Sequence, residues 1–237
     1  PIFGLGTAQV AVCALAICVD EGSAAVRSLA LGLDVDGVVS TRITLPQPAY
    51  PDPAARERFA QRLRDAWRAL PGVGEIAFVD AAPFQRYRRQ VSMSADAAGG
   101  PVDVGVNLAS GLGPVPDVLG MRLLHGRFVD DAADLASAAP VAVVSRTLAL
   151  QVWKTDEVVG RTLRLAGDGS PTRTVVGVLD DVRYDGALAD PVRMVFVPHA
   201  QDPVASNGLV ALVRGRGGDA PDFALLARTA AAVDPRV

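Results

Sequence analysis

The chain has 237 residues, 50% of them hydrophobic, and its 23 basic residues stand against 26 acidic ones for a net charge of -3. That length suits one large domain or two small ones with a core of useful size, and that charge offers no basic field to attract nucleic acid. The two cysteines, Cys13 and Cys18, sit five apart in one apolar run, well round a helix from each other, so stability does not rest on disulfides.

Residues 2–19, IFGLGTAQVAVCALAICV, carry no charge and match the ~18 residues that make a membrane-helix candidate. Asp20 and Glu21 follow at once. A secretory signal would need a basic leader, which is absent. A lipoprotein cleavage site before Cys18 would need a residue smaller than Ile17. The end of a membrane helix is therefore preferred over a buried helix or a processed signal. Pro1 in place of Met leads us to expect a fragment or a processed product.

Residues 38–45, VVSTRITL, alternate with period two, so Val39, Thr41, Ile43 and Leu45 share one face of a strand. Asp52 offers an N-cap and Pro53 suits the first helical position. Phe59, Leu63, Ala66 and Leu70 follow at helical spacing until Pro71-Gly72 stops the helix. Arg56, Arg58, Arg62, Arg64 and Arg68 fill most of its other side. Glu57 and Asp65 interrupt that row, which favours a solvated face over a nucleic-acid face. Residues 75–80 read as a second strand.

The middle of the chain holds short strands at 102–108, 140–144, 161–165, 173–180 and 192–197, separated by turns rich in Gly, Pro and Asp. Ser145 caps a short helix carrying Leu148 and Val152. Residues 208–214, GLVALVR, form another apolar strand. A helix over 219–233 follows, with Phe223, Leu226, Ala227, Ala230 and Val233 inward, and the pattern calls for a further strand beyond it. Two strand–helix units sharing one sheet give an α+β, ferredoxin-like layer with a mainly β subdomain inserted into it. The expected divisions are 1–33 (end of the membrane helix and linker), 34–84 (outer subdomain, first part), 85–198 (inserted β-rich subdomain) and 199–237 (outer subdomain, second part).

Several segments, in order, resemble one family. YPDPAARERFAQRLRDAWRALPGVGEIAFVDAAPF (50–84) is similar to the first strand–helix–strand of the MacB/FtsX-like permease periplasmic core domain. LGMRLLHGRF (119–128), PVAVVSRTLALQVW (140–153), VVGRTLRL (158–165), TVVGVLDDVRYDGALADPVRMVFVPHAQ (174–201) and AVDPRV (232–237) resemble later segments of that domain. AQVAV (8–12) resembles the first membrane helix of these permeases. There are departures. Val115-Pro116 stands where Tyr-Phe is usual, which bears on the short helix before Leu119. Ser145-Arg146 replaces Asn-Glu. Asp20, Glu21 and Gly22 interrupt a segment that is usually apolar throughout.

The resemblance implies a porter-like subdomain and an inserted subdomain, both outside the bacterial inner membrane and facing the periplasm or cell exterior. It implies a second permease copy or homologous half, a cytoplasmic ABC ATPase, in some systems a periplasmic adaptor, and membrane attachment through the N-terminal helix. ATP would be hydrolysed elsewhere, and the domain would couple that hydrolysis to export or to events in the periplasm. The competing reading is a stand-alone secreted or lipid-anchored solute-binding domain or hydrolase.

The residues themselves carry little chemistry. No GxxxxGK[ST] phosphate loop and no GxSxG elbow is present. Gly111-Leu112-Gly113 is too short for a dinucleotide fingerprint. His125 with Asp130, Asp131 and Asp134 lacks metal-ligand spacing. We expect instead that Leu119, Met121, Leu123 and Leu124 are buried, that Gly126 makes a turn, and that Arg127 meets a carboxylate or covers apolar surface. His199, at a strand end, reads as a surface or edge packing residue. Asp180, Asp181, Arg183, Tyr184 and Asp185 form a charged turn in which Arg183 would satisfy a carboxylate. Arg86, Arg88 and Arg89 around Tyr87 face solvent by default. No catalytic, cofactor or metal residue is assigned.

Overall fold

The computed structural model describes residues 31–46, 49–83, 89–97, 99–167, 169–184, 189–202 and 208–236. The membrane-helix expectation for 2–19 lies outside them. In chain order the elements are β1 (Val38–Thr44), α1 (Pro53–Arg68), β2 (Val73–Val79), β3 (Arg89–Ala97), β4 (Gly100–Leu112), α2 (Val115–Leu119), β5 (Leu123–Gly126), β6 (Val141–Ser145), α3 (Arg146–Trp153), β7 (Thr162–Leu165), β8 (Thr172–Leu179), β9 (Met194–Pro198), β10 (Gly208–Gly215) and α4 (Phe223–Val233). A 3-10 turn, His199–Gln201, follows β9.

β10 lies between β1 and β2 and runs antiparallel to both, with Thr41 opposite Ala211 and Ile76 opposite Val213. β1 and β2 are thus parallel and split by a strand from the far end of the chain, as in a ferredoxin-like layer. α1 begins where Asp52 accepts the Ala55 N–H at 2.7 Å. α4 begins at Phe223 rather than 219, because Asp222 takes the capping role for Ala224 and Leu225. Period two divides β10 between two cores. Leu209, Ala211 and Val213 join Phe59, Leu63 and Trp67 of α1 and Leu226 of α4. Val210 and Leu212 face the other way, toward Val115 and Val118 of α2, Val143 and Phe196.

The remaining strands close a ring, β4-β3-β7-β8-β6-β9. Parallel pairing of β9 with β4, from Asn107–Met194 to Gly111–Pro198, completes it. Met93, Val106, Leu163, Val175 and Val195 line one shared core, into which α3 sends Leu148 and Val152. β4 joins the two parts: its start pairs with β3 and its last residues pair with β2. Closure leaves the ring no free edge at these strands.

Two elements depart from the sequence pattern. β3 was not expected, since RQVSMSADA is polar and rich in small residues, with only Met93 and Ala95 buried. β4 is longer than 102–108, because its ends are recruited by β3 and β2 rather than by its own apolar run. The short α2 forms despite Val115-Pro116, since proline suits a first helical turn. No helix among the described residues is long and apolar enough to cross a membrane.

Candidate functional site: a buried charged junction

The chain leaves the three-strand layer after β2 and returns to it before β10. Charged residues stand at both crossings. Asp80 ends the outgoing strand, Arg89 opens β3, and Asp202 follows the turn after β9. Arg89 places Nη1 at 3.1 Å from Oδ1 of Asp202 and Nη2 at 2.5 Å from Oδ2. The same Nη2 lies 3.6 Å from Asp80 Oδ2. One guanidinium therefore spans both crossings. Asp80 is held from β4 as well: Ser110 N–H donates to its Oδ1 at 3.0 Å, and its own N–H donates to the Ser110 carbonyl at 3.2 Å.

Burial pushes the Asp80 carboxyl up to about 6, against the opposing pull of the Ser110 N–H and Arg89. His199, in the adjacent turn, is 2% exposed. Burial pushes its imidazole down to about 4, so the ring is neutral at pH 7. Its Nε2 is buried without a hydrogen-bond partner among the described residues. Arg173 of β8 braces the turn, donating to the Gln201 carbonyl at 2.8 Å and to its side-chain oxygen at 3.1 Å.

A second set of charges ties α1 to the segment after β5. Arg64 meets Asp131 at 2.7 Å, and Asp131 also accepts the Gly113 N–H at 2.8 Å. Arg127 forks onto Asp134 with two contacts of 2.7 Å, and Asp134 accepts the Asp130 N–H at 2.8 Å. Between them lies an open cleft of about 770 Å³, bordered by Arg68 and Glu75 on one side and Met121, Leu123 and Phe128 on the other.

Residues 2–235 match the family described as the MacB-like periplasmic core domain. The chain belongs to that family. It is thus the extracytoplasmic, periplasmic-type core domain of an ABC-transporter permease. The MacB-like domain shares its fold with the periplasmic region of MacB from Actinobacillus actinomycetemcomitans, at 11% identity and a TM-score of 0.53, covering 88% of this chain and 87% of that one. The extracellular domain of the noncanonic ABC-type transporter YknZ from Gram-positive bacteria is similar at 14% identity and a TM-score of 0.50, with 83% and 91% covered. No curated protein matches the chain.

Several residues of the MacB-like domain stand elsewhere than the sequence pattern suggests. The Nε2 of His125 lies 3.7 Å from Asp156, a neighbour the sequence pattern does not indicate. Leu119 and Met121 are buried, but Leu123 is 36% exposed and Leu124 half-buried, because β5 packs one side only. Asp180 pairs with Arg122 at 3.0 Å from Nε, not with Arg183, which donates to the Ala189 carbonyl instead. Asp181 accepts the Thr147 N–H at 2.7 Å, and the Tyr184 hydroxyl is buried against the Ala81 carbonyl. Asp185, Arg86, Tyr87 and Arg88 lie outside the described residues. His199 is buried rather than at a surface, and Arg89 is drawn in by Asp202 rather than facing solvent. The α1 row is not uniformly solvated: Arg58, Arg62 and Arg68 are exposed, Arg56 is 6% exposed, and Arg64 reaches Asp131. Among the described residues no group of three or more His, Cys, Asp or Glu is placed to hold a metal ion.

Proposed function

We propose that this domain works by movement rather than by bond chemistry. Its outer part (34–84 and 199–237) and its inserted part (85–198) shift against each other and against a second permease copy or homologous half. A cytoplasmic ABC ATPase drives that shift, and the domain relays it to export or to events in the periplasm. Residues 1–33 hold it to the inner membrane, and a periplasmic adaptor is a further partner. One observation supports this above the rest: Arg89 sits between Asp80 and Asp202, so a single half-buried side chain links both chain crossings. Such a point is where relative motion of two rigid parts is restrained or released.

The test uses the complete transporter, permease and ATPase together, with Cys13 and Cys18 replaced by serine. Arg64→Cys and Asp131→Cys place thiols on α1 and on the segment after β5, where the native side chains meet. A cleavable bis-maleimide joins them. Cross-linking is expected to slow ATP hydrolysis by at least tenfold, and cleavage of the linker to restore it. An unchanged rate in a fully cross-linked sample rules the coupling role out.

A further inference from the structure

Two buried titratable groups share one set of charged neighbours. Asp80 is 6% exposed and His199 2% exposed. Arg89 gives its fork to Asp202, which leaves Asp80 a 3.6 Å approach, too long for a hydrogen bond, and the Ser110 N–H. Asp80 is thus the less compensated of the two carboxylates on Arg89. His199 Nε2, equally buried, has no hydrogen-bond partner among the described residues, and burial with Arg56 and Arg89 outweighs the pull of Asp202 and Asp131 toward an added proton. The charges around the pair come from each packed element: Arg56 and Arg64 of α1, Arg89 of β3, Asp131 after β5, Arg173 of β8 and Asp202 after β9. An ionised acid or base costs far more to bury than its neutral form. With the junction closed, both groups therefore favour neutrality.

We propose that the closed junction holds Asp80 protonated and His199 neutral at mildly acidic pH, and that opening it passes one proton, net, from the Asp80 carboxyl to the His199 imidazole. The O–H bond of Asp80 breaks as its carboxylate is hydrated, and an N–H bond forms on the hydrated imidazole. Water carries the proton, and none is exchanged with bulk overall. The acidities agree with this pairing, since burial holds Asp80 at about 6 and His199 at about 4. Hydration returns them to their ordinary values of 3.8 and 6.5, so the order of the two groups inverts. Opening is then nearly insensitive to external pH, because two strong and opposite dependences cancel. The proton shift belongs to the domain itself and does not depend on an attached ATPase.

Amide hydrogen exchange on the 237-residue chain reads the opening, at the Asp80 and Asp202 N–H groups, after correction for intrinsic rates. In the wild type, protection is expected to change by no more than about threefold between pH 5 and pH 7.5. Asp80→Asn leaves His199 uncompensated, and opening should rise about 30-fold from pH 7.5 to pH 5. His199→Gln leaves Asp80 uncompensated, and opening should rise about tenfold from pH 5 to pH 7.5. Variants that respond in the same direction, or not at all, overturn the proposal, as does a wild-type change of tenfold or more. The wild type also gives an answer without variants, since the chain has only 2 histidines to resolve by imidazole nitrogen shifts. His199 should stay neutral down to about pH 5, and charging near its ordinary value overturns the proposal.

Discussion

Trp67 of α1 donates its indole N–H to the Leu226 carbonyl of α4 at 3.0 Å, joining helices from opposite ends of the chain. Its ring is 1% exposed and stacks on Phe78 of β2, with centroids 6.3 Å apart. One side chain thus holds both helices and the sheet below them. Trp67→Phe keeps most of the packing and loses the bond, so it should cost about 1–2 kcal/mol. Trp67→Ala should cost about 3–5 kcal/mol, since a cavity is added. Urea denaturation followed by circular dichroism separates the two, and equal losses would show that the hydrogen bond contributes nothing.

The outer layer was legible because its signals are local. Val39, Thr41 and Ile43 alternate, Asp52-Pro53 starts α1, and Pro71-Gly72 ends it. The turn at Gly126 and the carboxylate partner of Arg127 were readable for the same reason: partner and glycine lie within a few residues. The junction was not legible. Arg89 and Asp202 are 113 positions apart, and each looks like an ordinary polar residue at the end of an element. Nothing in the neighbourhood of His199 distinguishes a buried ring from an exposed one, since its cover comes from other elements. β3 was missed because its pairing with β4, not its own apolar content, makes it a strand.

Gly126 has φ +71, and a Cβ there would lie 2.1 Å from the Val176 carbonyl oxygen. Its neighbour across the pair is equally crowded, as a Cβ on Gly177 would lie 2.1 Å from the Arg127 carbonyl oxygen. Gly126→Val therefore needs the β5–β8 pairing to part and should cost more than about 3 kcal/mol, or prevent folding. His125→Ala beside it should change stability by less than about 0.5 kcal/mol, since the imidazole has only a loose approach to Asp156. Metal analysis of both wild type and His125→Ala should show no bound zinc. Zinc that copurifies with the wild type and is lost with His125 would show that the segment is a metal site.

Asp134 supplies a pH signature. Burial pushes its carboxyl up, but the Arg127 fork and the Asp130 N–H outweigh that and hold it below the usual range. A depressed carboxylate binds its proton more weakly folded than unfolded. Its contribution is therefore fully present above the unfolded value of 3.8 and is lost as pH falls below it. Asp134→Asn should cost about 2–3 kcal/mol at pH 7 and less at pH 3, where the carboxylate of the unfolded chain, with its ordinary value of 3.8, is already mostly protonated. Thermal melts at the two pH values read the difference. A penalty independent of pH would mean that charge plays no part in the corner.

Arg89 gives the sharpest test of the junction. Its side chain is 15% exposed, while those of Asp80 and Asp202 are 7% and 2% exposed, so solvent screens the set weakly. Arg89→Ala removes the fork and leaves two buried carboxylates facing one another. The expected cost is about 3–5 kcal/mol, mostly the cost of buried charge rather than of lost attraction. Asp202→Asn alone should cost about 2 kcal/mol, since Asp80 still offers Arg89 a counter-charge. If uncompensated charge dominates, the double variant Arg89→Ala with Asp202→Asn should be no worse than Arg89→Ala alone, a coupling of about 2 kcal/mol in the cycle. Arg89→Lys keeps the charge but not the planar fork, and should fall between wild type and Arg89→Ala. Additive losses across the cycle would mean that Arg89 and Asp202 act independently, and that the two crossings are not joined through this guanidinium.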